Sequence, residues 1–114
     1  MNGKNQVLES EDALRIIKEV ESDPKITQRL LARKLEISLG KVNFFLNALI
    51  DKGIIEAKNF KNSKNKLGYM YLLTSDGIRI KLKLIHKFLA WKELEYRKLE
   101  DEISSLKKER LVGT

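Results

Sequence analysis

A mainly α-helical fold with one small β-hairpin and a long closing helix is what this chain predicts, on three observations. Apolar residues recur at three- and four-residue spacing between Ala13 and Leu49. After Gly53 the period shortens to about two, through two short segments rich in β-branched and aromatic residues. From Ile78 a heptad pattern then runs with no Gly or Pro to residue 112.

Taken in order, residues 1–9 read as polar and are expected to form a flexible start. Ser10 caps a first helix, with Glu11 and Asp12 at its positive end and Ala13, Leu14, Ile17 and Val20 on its buried face. Ser22-Asp23-Pro24 stops it, because the residue before a proline avoids helical geometry. Thr27 caps a second helix whose apolar face is Leu30, Leu31, Ala32 and Leu35. After the break Glu36-Ile37-Ser38, a third helix starts at its cap Ser38 and runs to about Lys52, with Gly53 in the C-terminal glycine position. Ile54–Phe60 and Tyr69–Thr74 read as paired strands, joined by Lys61–Gly68, a tip of turn formers and lysines. Thr74 or Ser75 then caps the final helix. Three helices followed by a basic hairpin is the order of a winged helix-turn-helix, and the short break before the third helix forces the second and third to cross steeply. The expected organisation is therefore a start over 1–9, a winged helix domain over 10–75, and a C-terminal dimerisation helix over 76–112.

A chain of 114 residues suits one domain with an appended element. No apolar run approaches the ~18 residues of a membrane span, and the first 20 residues are polar and acidic, so neither an anchor nor a signal peptide is expected. With no cysteine there is no disulfide framework and no thiolate metal site. A cytoplasmic protein without cofactor or metal is the expectation. The net charge of +7 is unevenly placed: residues 1–24 carry −3, residues 25–74 carry +7 and residues 75–114 carry +3. One basic face of this kind suits a polyanion, since neutralising phosphates releases condensed counterions.

Along the third helix, steps of about 100° per residue put Val42, Phe45, Leu46 and Leu49 on the core side. Gly40, Phe44 and Asn47 collect on the other side, with Asn43 at its edge. Three of the outer residues are locally unfavourable in a free protein. Gly40 costs on the order of 1 kcal/mol against alanine, Lys41 sits at the positive helix end, and Phe44 faces water. A DNA groove facing them resolves all three. Glycine admits close backbone approach, lysine meets a phosphate or guanine edge, and asparagine reads adenine. Phe44 then meets a thymine methyl or a sugar, or alternatively folds back under the hairpin as satellite core. For Lys41 and the two asparagines the plainer alternative is simple solvation. Ser38 and Leu39 open the same helix, and Thr27 and Gln28 at the start of the second helix are assigned to the same surface.

On the hairpin, Lys58, Lys61, Lys64 and Lys66 alternate with Asn59, Asn62, Ser63 and Asn65, offering ammonium and amide donors suited to phosphates or a narrow minor groove. No arginine is present there, so the hairpin is expected to add affinity and salt dependence rather than base choice.

The heptad positions of the final helix are Ile78, Leu82, Ile85, Leu89, Lys92, Tyr96, Leu99, Ile103, Leu106 and Arg110. Leu84, Phe88 and Trp91 form a second stripe beside the first half. A seam this long exceeds what its own domain buries, so a homodimer is expected. Its contacts are Leu82, Ile85, Leu89, Lys92, Tyr96, Leu99, Ile103 and Leu106, with Lys92 fixing register or pairing with Glu93 or Glu95 of the partner. His86, beside the seam, reads as a packing or surface residue. Whether the two helices pair parallel or antiparallel stays open.

The strings ISLGKVNFF, NALIDKG and NFKNSKNKLGYMYLLT, followed by DGI and a helix, resemble the small MarR-type winged-helix regulators associated with bacterial exopolysaccharide gene clusters. The resemblance covers roughly residues 10–105. It implies that Ser38 to Asn47 form the recognition helix and Lys58 to Lys66 the wing of a homodimer acting at a promoter near polysaccharide genes. MarR-type proteins usually have a longer N-terminal helix in the dimer interface. With little before Ser10, dimerisation is expected to rest on the C-terminal helix, and the residues name no small-molecule effector. Glu36 stands where glycine or asparagine is common, and a left-handed glutamate costs about 1–2 kcal/mol, so the turn either bears that strain or takes another shape. An enzyme is not expected, since one histidine and no carboxylate pair or phosphate-cradling glycine loop supply no nucleophile, base or metal site. The rival reading is a winged-helix protein–protein interaction module assembled through its C-terminal helix.

Overall fold

A computed structural model describes residues 3–61 and 64–113 of the chain, in two units, residues 1–84 and residues 85–114. In the first unit α1 (Glu11–Ser22), α2 (Gln28–Leu35) and α3 (Leu39–Asp51) precede an antiparallel hairpin of β1 (Ile55–Lys61) and β2 (Leu67–Leu73), and α4 (Ser75–Val112) begins after it. This is the mainly helical, winged helix-turn-helix order that the periodicities predict.

The helix starts fall on the capping residues read from the sequence. Ser10 Oγ accepts from Asp12 N–H at 3.2 Å, Thr27 Oγ1 from Leu30 N–H at 3.1 Å, and Ser38 Oγ from Lys41 N–H at 3.0 Å. For α4 the cap is Thr74, whose hydroxyl accepts from Gly77 N–H at 2.9 Å. The single proton of the same hydroxyl is shared between the carbonyls of Gly53 and Ile54, chiefly Gly53, which ties the start of α4 to the base of the hairpin.

The core of this unit joins Ile16, Ile17 and Val20 of α1, Leu31 and Leu35 of α2, and Val42, Leu46 and Leu49 of α3 to Ile54 and Ile55. Leu30 departs from the expected apolar face of α2: it is 39% exposed, because Leu31, Ala32 and Leu35 already fill the side turned to α1 and α3. Gly3–Glu9 forms a 3-10 helix against α1 and α3, and Val7 is left 2% exposed. The strands are offset from the sequence reading. Pairing runs from Ile55↔Leu73 to Lys61↔Leu67, so Lys61, Leu67 and Gly68 belong to the ladder instead of the tip. Only the base of the hairpin is packed, which is why β1 buries Ile55 and little else.

In the second unit α4 continues from Ile85 with Phe88 buried and Trp91, from the same predicted stripe, exposed and edge-on to it at 5.3 Å. Beyond Phe88 every described residue of the helix is exposed.

Candidate functional site

The turn between α2 and α3 is braced by two contacts from α1, Arg15 to Leu35 and Asp12 to Lys41. Glu36 takes the left-handed conformation (φ 57°, ψ 42°), so the turn does bear a strained glutamate, and its N–H returns to the carbonyls of Ala32 and Arg33. Arg15 donates to the carbonyl of Leu35 at 2.8 Å, neutralising the negative end of α2. Asp12 receives Arg15 at 2.9 Å and Lys41 at 3.0 Å. Burial works to raise the pKa of Asp12, but the hydrogen bonds and charges of Lys41 and Arg15 outweigh it and hold the carboxyl below its ordinary value. Lys41 is therefore paired with Asp12 rather than simply solvated, with its side chain 48% exposed. Its cation answers the acidic first turn of α1.

The outer face of α3 stays open. Leu39 and Phe44 are 45% and 41% exposed, and no atom lies within 4 Å of a Cβ built on Gly40. Phe44 rests edge-on against Phe45 at 5.9 Å and does not fold under the hairpin. At the edge of this face four side chains join through three hydrogen bonds. Asn47 Nδ2 donates to Asn43 Oδ1 at 3.1 Å, Asn43 Nδ2 to Gln28 Oε1 at 3.3 Å, and Gln28 Nε2 to the Tyr71 hydroxyl at 3.2 Å.

These amides border a groove of about 360 Å³ whose far wall is Ala57, Tyr69 and Tyr71 of the hairpin, so α3 and the hairpin flank one depression. A neighbouring hollow of about 480 Å³ is bordered by Lys25, Thr27, Phe60, Lys66 and Tyr69, with the Lys25 ammonium 4.8 Å above the Phe60 ring. Lys25, Tyr69 and Tyr71 are absent from the residues singled out by sequence. Only the long-range strand pairing delivers the tyrosines to α2, and Lys25 belongs to no periodic pattern.

Of the remaining predicted residues, Lys58 and Asn59 lie exposed along β1, and Lys58 approaches Glu56 at 3.9 Å. Lys61, Lys64, Asn65 and Lys66 are exposed around the tip, where Asn65 turns the chain at φ 61°. Asn62 and Ser63 lie outside the described residues. The hydroxyls of Thr27 and Ser38 are engaged as helix caps. Along α4, Leu82, Leu89, Tyr96, Leu99, Ile103 and Leu106 form an exposed apolar stripe with Lys92, while Ile85 is half-buried. Among the described residues no group of histidine and carboxylate side chains is arranged to hold a metal, and no helix is long and apolar enough to cross a membrane.

A family model described as winged helix-turn-helix DNA-binding matches residues 13–56, which spans α1 to the start of β1. Among solved structures the chain is similar to a mutant MarR from E. coli complexed with operator DNA, at 23% identity and a TM-score of 0.54, over 73% of this chain and 61% of that one. FabT from Streptococcus pneumoniae in complex with DNA gives 23% identity and a TM-score of 0.52, over 87% and 73%. AdcR from Streptococcus pyogenes gives 19% and 0.60, over 81% and 66%. The chain spans less than two thirds of the MarR mutant and AdcR chains. No curated protein sequence matches it. The first unit thus has the winged helix-turn-helix fold of MarR-type regulators.

Proposed function

We propose that this protein is a MarR-type transcriptional regulator that binds specific sites on double-stranded DNA as a homodimer. The observation that carries the reading is the shared groove. Asn43 and Asn47 of α3 face Ala57, Tyr69 and Tyr71 of the hairpin across it, while Gly40 and Phe44 lie on the open face of the same helix and Lys58, Lys61, Lys64 and Lys66 are exposed elsewhere on the hairpin. A helix with amide side chains suits the major groove, and a lysine-rich hairpin suits the neighbouring phosphates. Two of the similar structures, those of the MarR mutant and FabT, are complexes with DNA. Asn43 and Asn47 read base edges, Gly40 lets the helix backbone approach, and Phe44 meets a sugar or thymine methyl. The lysines of the hairpin, with Asn59, Asn62, Ser63 and Asn65, hold the backbone. Thr27, Gln28, Ser38 and Leu39 border the same surface.

The exposed stripe of α4 pairs two copies. Its apolar side chains are too many to leave in water on a free helix, and pairing doubles the DNA site. The cytoplasm is the compartment this function requires, and polysaccharide genes are the target to which the resemblance of the α3 and hairpin strings points.

Selection of bound duplexes from a randomised pool tests this reading. A palindromic motif with half-site centres about one helical turn (10–10.5 base pairs) apart is expected. Absence of any enriched motif would remove sequence-specific binding. An asymmetric single half-site would remove the dimer. A winged-helix module serving only protein contacts predicts no enrichment at all.

A further inference from the structure

We infer that Lys41 is a phosphate contact which Asp12 holds in the free protein and yields on binding, so that Asp12 restrains the affinity for duplex DNA; the inference rests on the DNA-binding role proposed for α3 and the hairpin.

Lys41 lies in the first turn of α3, the end of a helix where the backbone dipole favours an anion over a cation. Beside it Gly40 is open, with nothing within 4 Å of a Cβ built there. The anion that answers the ammonium comes from α1. Asp12 divides its two oxygens: Oδ1 accepts from Arg15 at 2.9 Å, and Oδ2 meets Lys41 Nζ at 3.0 Å.

The two cations are held unequally. Arg15 has a second anchor in the carbonyl of Leu35 at 2.8 Å, which fixes its guanidinium between α1 and the end of α2. Lys41 reaches Asp12 with a compact charge on a flexible four-carbon stem, and its side chain is 48% exposed. When Lys41 leaves, the carboxylate, 16% exposed, keeps Arg15 and is not left as a bare charge. A phosphate offers the ammonium the same kind of charge-assisted bond, and neutralising it also releases a condensed counterion. Asp12 therefore does in the free protein what a phosphate oxygen does in the complex, and the two compete for one cation. Since every duplex carries phosphates, the restraint acts on selected and unrelated sequences alike.

The test uses the full chain as wild type, Asp12→Asn, Lys41→Ala and the double variant. Fluorescence anisotropy gives the affinity of each for a duplex selected by the wild type from a randomised pool, and for an unrelated duplex. Asparagine keeps the size of Asp12 but leaves one accepting oxygen where there were two, and no negative charge. Asp12→Asn is expected to bind both duplexes about threefold more tightly per copy, about tenfold for a dimer, the factor of one partly exposed ion pair. A loss of folding would weaken binding and so cannot imitate this gain. Lys41→Ala should lower the slope of log affinity against log salt by about 0.9 per copy, and on that background Asp12→Asn should no longer raise affinity. If Asp12→Asn binds no more tightly than the wild type, the inference is wrong. An equal gain with and without Lys41 would also overturn it, because the effect would then be that of any removed negative charge. So would a gain confined to the selected duplex, which would make Lys41 a base contact. In each of these cases the wild type still binds and the DNA-binding role stands. If the wild type binds neither duplex at low salt, the inference falls together with the role it rests on.

Discussion

Two glycines near helix starts, Gly40 of α3 and Gly77 of α4, should answer alanine substitution with opposite signs. Helix propensity alone favours alanine at either place by up to about 1 kcal/mol. At Gly40 a new Cβ meets nothing within 4 Å, so Gly40→Ala is expected to stabilise the protein by about 0.5–1 kcal/mol. At Gly77 the new Cβ would stand 2.1 Å from the carbonyl oxygen of Ile54, where contacts under 3.0 Å essentially never occur, and 3.1 Å from Leu73 Cγ. The base of the hairpin must retreat by nearly an ångström. The oxygen in question also accepts from Thr74 N–H at 3.1 Å, so a hydrogen bond worth about 1 kcal/mol is disturbed as well. Overpacking costs about 1–3 kcal/mol. With the propensity gain set against it, Gly77→Ala should destabilise by about 2 kcal/mol, a fall of about 8–16 °C in Tm for a domain of this size. Thermal unfolding followed by circular dichroism reads both variants. An alanine at residue 77 that leaves Tm unchanged or raises it would refute the close approach of α4 to Ile54. The proposed function adds a second readout: Gly40→Ala, though more stable, should bind duplex DNA more weakly, because its methyl group stands where the helix meets the groove.

Glu36→Gly should stabilise the protein by about 0.5–1 kcal/mol, the relief of a left-handed residue less the extra freedom of glycine when unfolded, and urea titration measures it. Asp12→Asn should cost about 1 kcal/mol at neutral pH, since the carboxylate is 16% exposed and meets two cations that are about half exposed. The Asp12 carboxyl is held below its ordinary value in the folded protein, so its contribution is present above about pH 4 and is lost as pH falls through the lower folded pKa. The stabilities of wild type and variant, measured at pH 7 and pH 3, should therefore converge in acid; a constant gap would refute the pairing. Replacing Leu99 by aspartate in the α4 stripe should weaken self-association by at least about 100-fold, which sedimentation would read as a monomer.

Much of this architecture is legible in the residues because its signals are local. Ser10, Thr27 and Ser38 announce helix starts through short side chains that bond two or three residues ahead, and the core of α3 follows from its own periodicity. Leu30 misleads for a physical reason: on a helix of eight residues an apolar side chain beside the core stripe is indistinguishable from one within it until the neighbouring helices are placed. The 3-10 turn at the start is hidden in the same way, since Val7 and Leu8, adjacent among polar residues, carry no period. On the outer side of α3, Gly40, Lys41 and Phe44 stand out because each is locally ill-suited to a solvated helix, and Asn43 and Asn47 because they share that side. Their connections do not stand out. The Lys41–Asp12 pair and the Asn43–Gln28–Tyr71 chain join residues far apart in sequence, and only the packing of α3 on α1 and α2 and the placement of β2 beside α2 bring them together.

The most direct measurement is the affinity for a fluorescent duplex of about 20 base pairs as salt rises from 50 to 200 mM. Hairpin lysines that neutralise six or more phosphates between two copies should give a loss of about 1,000-fold or more in affinity over that range. Binding that is undetectable at 50 mM salt, or that barely changes by 200 mM, would contradict a DNA-binding role for the α3 face and the hairpin.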